Sequence, residues 1–379
     1  MDQELFIQIL KLVCIPCLFV ALAIPFIKSL AEHVGALDIP NARKVHLKPI
    51  PRMGGLGIYF GFLLGYMLFG AQNAIMNSIL IGSFIIVLIG VVDDIKPLKA
   101  SYKFVGQLVA AMIVVFYGGI LLKEISAFGL YLNFGLAAYP ITIFFILGCI
   151  NCMNFIDGLD GLASGISAIF FLAIGIIAVC KGQTTLAFTL TFIMFGSCIG
   201  FLIHNFHPAS IFMGDSGSMF LGFIISVITL LGYKNVMMSS IVIPLLILAI
   251  PISDTLFAIL RRKLKGESIS TPDKLHIHHQ LLNRNLGQRG TVLIIYLATI
   301  LFASASMIYV LKDAELGYII YGILLFILMV FALKTDIIIS HTNNKKEEPK
   351  EEKIVKEKNK KSNTIKKNKN NGVKTKKEK

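Results

Sequence analysis

Residues 136–180 read LAAYPITIFFILGCINCMNFIDGLDGLASGISAIFFLAIGIIAVC. Two apolar runs, 136–152 and 162–180, flank the polar island NFIDGLDG, and each is close to the roughly 17 to 25 residues that a membrane helix needs. Working outward in both directions, runs of similar length recur at 5–27, 53–70, 75–92, 104–122, 184–203, 217–233, 236–260, 291–311 and 316–333. The chain has 379 residues, 55% of them apolar and 15% charged, with a mean hydropathy of +0.76, too apolar to be enclosed in one soluble core. The expected fold is therefore all-α: a polytopic membrane helix bundle of about eleven transmembrane helices. The first run is longer than a signal-peptide core and lacks a basic leader or small-residue cleavage site, so it is expected to stay in the protein.

Eleven crossings divide the loops into two sets. One carries fifteen Lys and Arg, from Lys28 to Arg289, whereas the other has only Lys123, Lys181, Lys234 and Lys312. The positive-inside rule makes the richer set cytoplasmic, with the N-terminus outside and the C-terminus inside. A transmembrane domain over residues 1–338 then gives way to a tail, 339–379. Fifteen Lys against six Glu in residues 341–379 supply +9 of the net charge of +14. Such a tail is expected to be disordered, cytoplasmic and drawn to anionic lipid rather than nucleic acid. Cys14, Cys17, Cys149, Cys152, Cys180 and Cys198 all fall within or at the ends of apolar runs. Packing suits them better than a zinc or redox site, which needs polar ligands converging in a closed shell.

Ionisable groups beside membrane spans are costly, so their placement is informative. Five islands fall in the basic set of loops. IPNARKVHLKPIPRMGG (39–55) holds Arg43, Lys44, His46, Lys48 and Arg52 on a proline-stiffened stretch, which suits either anion binding or an ordinary positive-inside loop. VVDDIKPLKASYK (91–103) has adjacent Asp93 and Asp94, whose mutual repulsion calls for a cation or a shared proton, followed by Lys103. NFIDGLDGLASG (154–165) spaces Asn154, Asp157 and Asp160 by three, on one helical face if the turn is helical. HNFHPASIFMGDSGS (204–218) sets Asp215 between glycines before an apolar run, which fits a phosphate with a hard cation beside it, or a plain N-cap turn. The fifth runs from Asp254 to residue 285, with His276, His278 and His279 among Arg and Lys. It reads as phosphate recognition or a solvated basic loop. Five such islands on one membrane face point to a single site for a divalent cation and a diphosphate.

In this order, KVHLKPIPRMGG, Asp93–Asp94, NFIDGLDGLASG, NFHPASIFMGDSGS, PISDTLFAILRR and PDKLHIHH resemble the polyprenyl-phosphate N-acetylhexosamine-1-phosphate transferase family over residues 38–290. His276, Ile277, His278 and His279 interrupt the run of three histidines typical of the muramoyl-pentapeptide branch, and the chain looks like the UDP-N-acetylglucosamine branch. The resemblance implies transfer of N-acetylglucosamine-1-phosphate from UDP-N-acetylglucosamine to undecaprenyl phosphate at the cytoplasmic face of the plasma membrane. It also implies Mg2+, replaceable by Mn2+, on Asp215 and Asn154. Asp93, Asp94, Asp157 and Asp160 become catalytic candidates, with Asp93 or Asp94 handling the lipid phosphate or its proton. Lys44, His46, Arg52, Lys103, Asn205, Asp273, His276, His278 and His279 become candidates for holding the substrates. A homodimer is compatible with it. The rivals are the muramoyl-pentapeptide activity, a secondary transporter, whose coupling residues sit near mid-membrane in broken helices and repeated halves, and a non-catalytic scaffold.

Overall fold

A computed structural model describes residues 3–40, 49–127, 130–234, 242–264, 266, 275–282, 284 and 286–335. The expectation of a disordered tail therefore lies outside the described residues. Among the described residues the chain is a mostly helical bundle with two small antiparallel strand pairs. The long helices are α1 (Gln3–Val34), α3 (Ala74–Ile95), α4 (Ala100–Met112, extended by a π-turn Ile113–Tyr117), α5 (Ala138–Ile156), α6 (Leu162–Cys180), α7 (Leu186–Asn205), α8 (Gly214–Lys234), α12 (Gly287–Leu311) and α13 (Ala314–Lys334). Shorter ones are α2 (Gly55–Phe69), α9 (Val242–Ile247), α10 (Ala249–Leu264) and α11 (Ile277–Leu282).

Nine helices among the described residues are long and apolar enough to cross a bilayer, where about eleven were expected. Two runs account for the difference. The run at 53–70 forms only the 15-residue α2, about 22 Å at 1.5 Å per residue. The run at 236–260 is interrupted at Leu248, between α9 and α10. Pro251 has no N–H to offer the carbonyl of Ile247 four residues back, which breaks the ladder there. The protein is an integral membrane protein.

α8 lies at the centre, packed by α2, α3, α5 and α7, and its side chains are almost wholly enclosed. Close approach rests on glycine. Gly196 and Gly200, four apart on α7, lie against the backbone carbonyls of Val13 and Cys17 on α1, the small-residue spacing that lets membrane helices pack backbone to backbone. Several buried hydroxyls bond a carbonyl one helical turn back, as Ser78 does on Ile75 (2.6 Å), Thr191 on Ala187 (2.6 Å) and Ser306 on Phe302 (2.9 Å). Without water in the bilayer core, the backbone is the nearest partner for these groups.

The ends of α3, α5 and α7 and the starts of α2, α4, α6 and α8 meet at one end of the bundle. There β1 (Leu37–Asp38) pairs with β2 (Ile50–Pro51). The next residue, Arg52, bridges to Phe212, and Gly54 and Gly55 donate N–H bonds to the carbonyls of Phe212 (2.9 Å) and Met213 (2.8 Å). This stitching ties the loop before α2 to the loop before α8.

Replacing Gly200 by Leu would drive a side chain into the Cys17 carbonyl, at a cost of about 2 kcal/mol or more. Gly148, whose added Cβ meets nothing, is the control. Thermal unfolding in detergent should show a clearly lowered midpoint for Gly200→Leu and an unchanged or raised one for Gly148→Ala.

Candidate active site

At the end of the bundle where these helices meet, a cavity of 520 Å³ opens, with Arg52, Asn154, Asp157, Asp160, Asp215 and His279 among its lining residues. The volume is that of a site for a sizeable small molecule.

The site is organised by the start of α8. Gly214 adopts a positive φ of 73° and has no side chain to cap the helix. The cap comes instead from Asp94 at the end of α3. Its Oδ1 accepts the Asp215 N–H (2.8 Å), and its Oδ2 accepts the Ser216 N–H (3.2 Å) and hydroxyl (2.7 Å). A negative group there also complements the helix dipole. A Cβ on Gly214 would collide with this carboxylate. Arg52 adds Nε at 3.2 Å and a second nitrogen at 3.1 Å to Asp94 Oδ1. Asp94 is thus buried and fully engaged by the protein.

Asp93 accepts the Leu98 N–H (2.8 Å), holding the α3–α4 turn, and lies 3.4 Å from Lys103 and 3.9 Å from Arg52. The repulsion between the adjacent acids is therefore relieved by the protein's own cations and backbone amides. Neither acid lines the cavity, whereas Asp215 does. Lys103 reaches one Asp215 oxygen at 2.8 Å and Arg52 the other at 3.4 Å. Burial alone would lower the Arg52 pKa, but Asp94, Asp215, Asp38 and Asp93 outweigh it and hold the guanidinium above its ordinary value.

Asp160 Oδ2 bonds His207 Nδ1 at 2.7 Å and accepts the Ala209 N–H at 3.1 Å, fixing the loop between α7 and α8. Arg289 Nε donates to the His207 carbonyl (3.1 Å). Asn205 also lines the cavity, yet its carboxamide is engaged by Gly161 N–H (3.1 Å), the Ser164 hydroxyl (2.9 Å) and the Ile211 carbonyl (3.0 Å). It joins three segments of the wall. Asp157 differs from the other acids. Among the described residues no hydrogen bond or ion pair engages its carboxylate, which faces the cavity at the end of α5. Burial, then Asp215 and Asp94, push its pKa up to about 8, with Arg52 only partly offsetting them.

Asn154 donates its amide N–H to the Ser218 hydroxyl (2.9 Å), which leaves its carbonyl oxygen as the group to meet a ligand. With Asp157 and Asp215 it offers hard oxygen donors on one cavity wall. Among the described residues no three His, Cys, Asp or Glu side chains close into a ready-made metal cage. This donor set fits a hard divalent cation that keeps water and takes further oxygens from a substrate, rather than a closed zinc site.

Of the histidines, His279 lines the cavity, and His278 is buried against Gly158. Burial, followed by the neighbouring His279, lowers the His278 pKa to about 3, so its ring is neutral. Lys44, His46 and Asp273 lie outside the described residues. Sequence reasoning gave no role to Asp38, His207, Ser216, Ser218 or Gln288. His207, Ser216 and Ser218 stand inside the quoted NFHPASIFMGDSGS string, so the signal was present but not resolved to residues.

The family model for glycosyl transferase family 4 matches residues 76–233, a window that takes in the acids from Asp93 to Asp215. The chain is similar to a probable undecaprenyl-phosphate N-acetylglucosaminyl 1-phosphate transferase of Bacillus subtilis, 43% identical over 335 residues that cover 87% of this chain and 92% of the relative. It is 34% identical to the decaprenyl-phosphate N-acetylglucosaminephosphotransferase of Mycolicibacterium smegmatis over 317 residues, covering 75% of this chain and 78% of that one. With the undecaprenyl-phosphate alpha-N-acetylglucosaminyl 1-phosphate transferase of Escherichia coli K12 it shares 31% identity over 300 residues, covering 77% and 81%.

The engaged and unengaged acids should separate in stability measurements. Asp94→Ala leaves Arg52 and the α8 amides without their partner and should cost about 3 kcal/mol or more. Asp157 behaves oppositely, because its folded pKa lies above its unfolded value. Its ionisation therefore weakens the fold progressively as pH rises from the ordinary carboxylate range to about 8. In EDTA, Asp157→Asn should match the wild-type thermal midpoint near pH 4 and exceed it near pH 8.

Proposed function

The chain belongs to glycosyl transferase family 4, and on that premise we propose that it transfers N-acetylglucosamine-1-phosphate from UDP-N-acetylglucosamine to undecaprenyl phosphate. The products are undecaprenyl-diphospho-N-acetylglucosamine and UMP, the first membrane step in making a cell-envelope glycan. The observation that carries this reading is the meeting of Asp157, Asp160, Asp215, Asn154, Arg52 and His279 around one cavity at the end of a lipid-facing bundle. A diphosphate needs both cations and hard oxygen donors, and a polyprenyl acceptor needs a site open to the bilayer. The distribution of Lys and Arg supports placing this end at the cytoplasmic face of the plasma membrane, where nucleotide sugars are available.

In the proposed reaction an oxygen of the lipid phosphate attacks the β-phosphorus of the nucleotide sugar. The bond from that phosphorus to the bridging oxygen breaks, and its electron pair leaves with UMP. A phosphate monoester has its second pKa near 6, so the acceptor is largely dianionic at neutral pH and needs little help from a base. What the residues must supply is tolerance of anions brought together. Arg52, which lines the cavity, and Lys103, which reaches it through Asp215, would share their charge with incoming phosphates. Asp215, Asn154 and Asp157 would hold Mg2+, which would screen the diphosphate and polarise the phosphorus under attack. Asp93 and Asp94 then serve by holding Arg52, Lys103 and the start of α8 in place. A transporter is less well supported, because the acids gather at helix ends rather than mid-bundle.

Purified protein given UDP-N-acetylglucosamine, undecaprenyl phosphate and Mg2+ should release UMP, and EDTA should stop it. Asp215→Asn should lower kcat by about a thousandfold or more without altering detergent elution. Near-normal UMP release by that variant would refute the role given to Asp215, and its absence from wild type would refute the function.

A further inference from the structure

Asp254 on α10 has no part in the cavity, yet it is 1% exposed and both of its carboxylate oxygens are engaged by one short segment. Oδ2 lies 2.9 Å from His276 Nδ1, and Oδ1 accepts the N–H of Ile277, the first residue of α11, at 2.7 Å. A buried carboxylate is a strong acceptor and offers no proton of its own. Paired with an ionised carboxylate, His276 donates through Nδ1, which leaves Nε2 as the ring's other nitrogen. The second contact does for α11 what Asp94 does for α8: it supplies a carboxylate acceptor to a backbone N–H at the helix start.

What this clamp holds is the rest of the histidine segment. The His276 and His278 rings stack, 5.6 Å apart and 6° from parallel, and the His278 and His279 centroids are 4.3 Å apart. His278 is seated so closely on Gly158 that a Cβ there would meet its Nε2 at 2.5 Å, one residue beyond the unengaged Asp157. His279 lines the cavity. The three rings thus form a contiguous cluster from the buried Asp254 to the cavity wall, His276 stacked on His278 and His279 tilted 44° against it. We propose that Asp254 is a positioning residue for the transfer reaction, acting through His276: it fixes that ring's tautomer and anchors α11 so that His278 and His279 are presented to the site.

This inference rests on the proposed transferase reading, and the experiment separates the two. Steady-state UMP release is measured for wild type, Asp254→Asn, His276→Ala and the double variant. Asparagine keeps an oxygen for the Ile277 N–H but turns an N–H toward His276, which imposes the opposite tautomer. Asp254→Asn should keep wild-type elution and lose ten- to a hundredfold in kcat, with KM for UDP-N-acetylglucosamine changing less than threefold. If Asp254 works through His276, the double variant should be no slower than His276→Ala within twofold. Losses that multiply in the double variant, or a wild-type kcat for Asp254→Asn, overturn the proposal. Should Asp254→Asn not fold, His276→Ala carries the test, and a kcat within threefold of wild type overturns it. An inactive wild type would instead count against the transferase reading itself.

Discussion

The start of a helix exposes backbone N–H groups that its own turns cannot satisfy, and where neighbouring helices enclose it the protein must supply their acceptor. Here the most enclosed helix, α8, begins at a glycine, and the acceptor it lacks arrives from α3 as the Asp94 carboxylate. Much of the site's geometry depends on that contact. It sets the direction of Asp215, the next side chain along, and it draws in Arg52, whose loop is stitched to the strand of chain leading into α8. Gly90 and Gly217 let α3 and α2 come close enough for it to form.

The same device recurs elsewhere in the bundle. Asp93 accepts from Leu98, Asp160 from Ala209 and Asp254 from Ile277, each a backbone N–H at the start or turn of another segment. Four acids that look alike in the sequence are therefore joints between elements. Asp157 has no such partner among the described residues. A carboxylate left unengaged beside others destabilises the fold unless a ligand offsets it, and such costs are tolerated at sites that act. The structure thus sorts the acids by what their oxygens already hold.

That sorting marks the boundary of what the sequence could say. The membrane class, most of the spans and the gathering of the five islands were legible, because each depends on local composition or on a short motif. Pro251 and the flanking glycines of α2 also stood in the sequence, but hydropathy averages over them, so the run at 236–260 read as one span. The division of labour between Asp93 and Asp94 could not be read. It depends on which amides α4 and α8 bring to them, and those helices begin 6 and 120 residues after Asp94. The resemblance implied a substrate contact for Asn205, which does line the cavity. Its type and place near the site were visible, but its three partners are set by tertiary packing.

The arrangement also explains why Arg52 and Lys103 bind acids rather than stand free. Unpaired cations at a partly buried site would be costly to desolvate, and unpaired acids equally so. Pairing Lys103 and Arg52 with Asp215 and Asp93 keeps both sets in place at moderate exposure. These contacts range from 2.8 to 3.9 Å, and several share one carboxylate among two cations. Such shared pairs are more easily exchanged than the Asp94 contacts, which combine amides, a hydroxyl and a guanidinium on a carboxylate with no exposed surface.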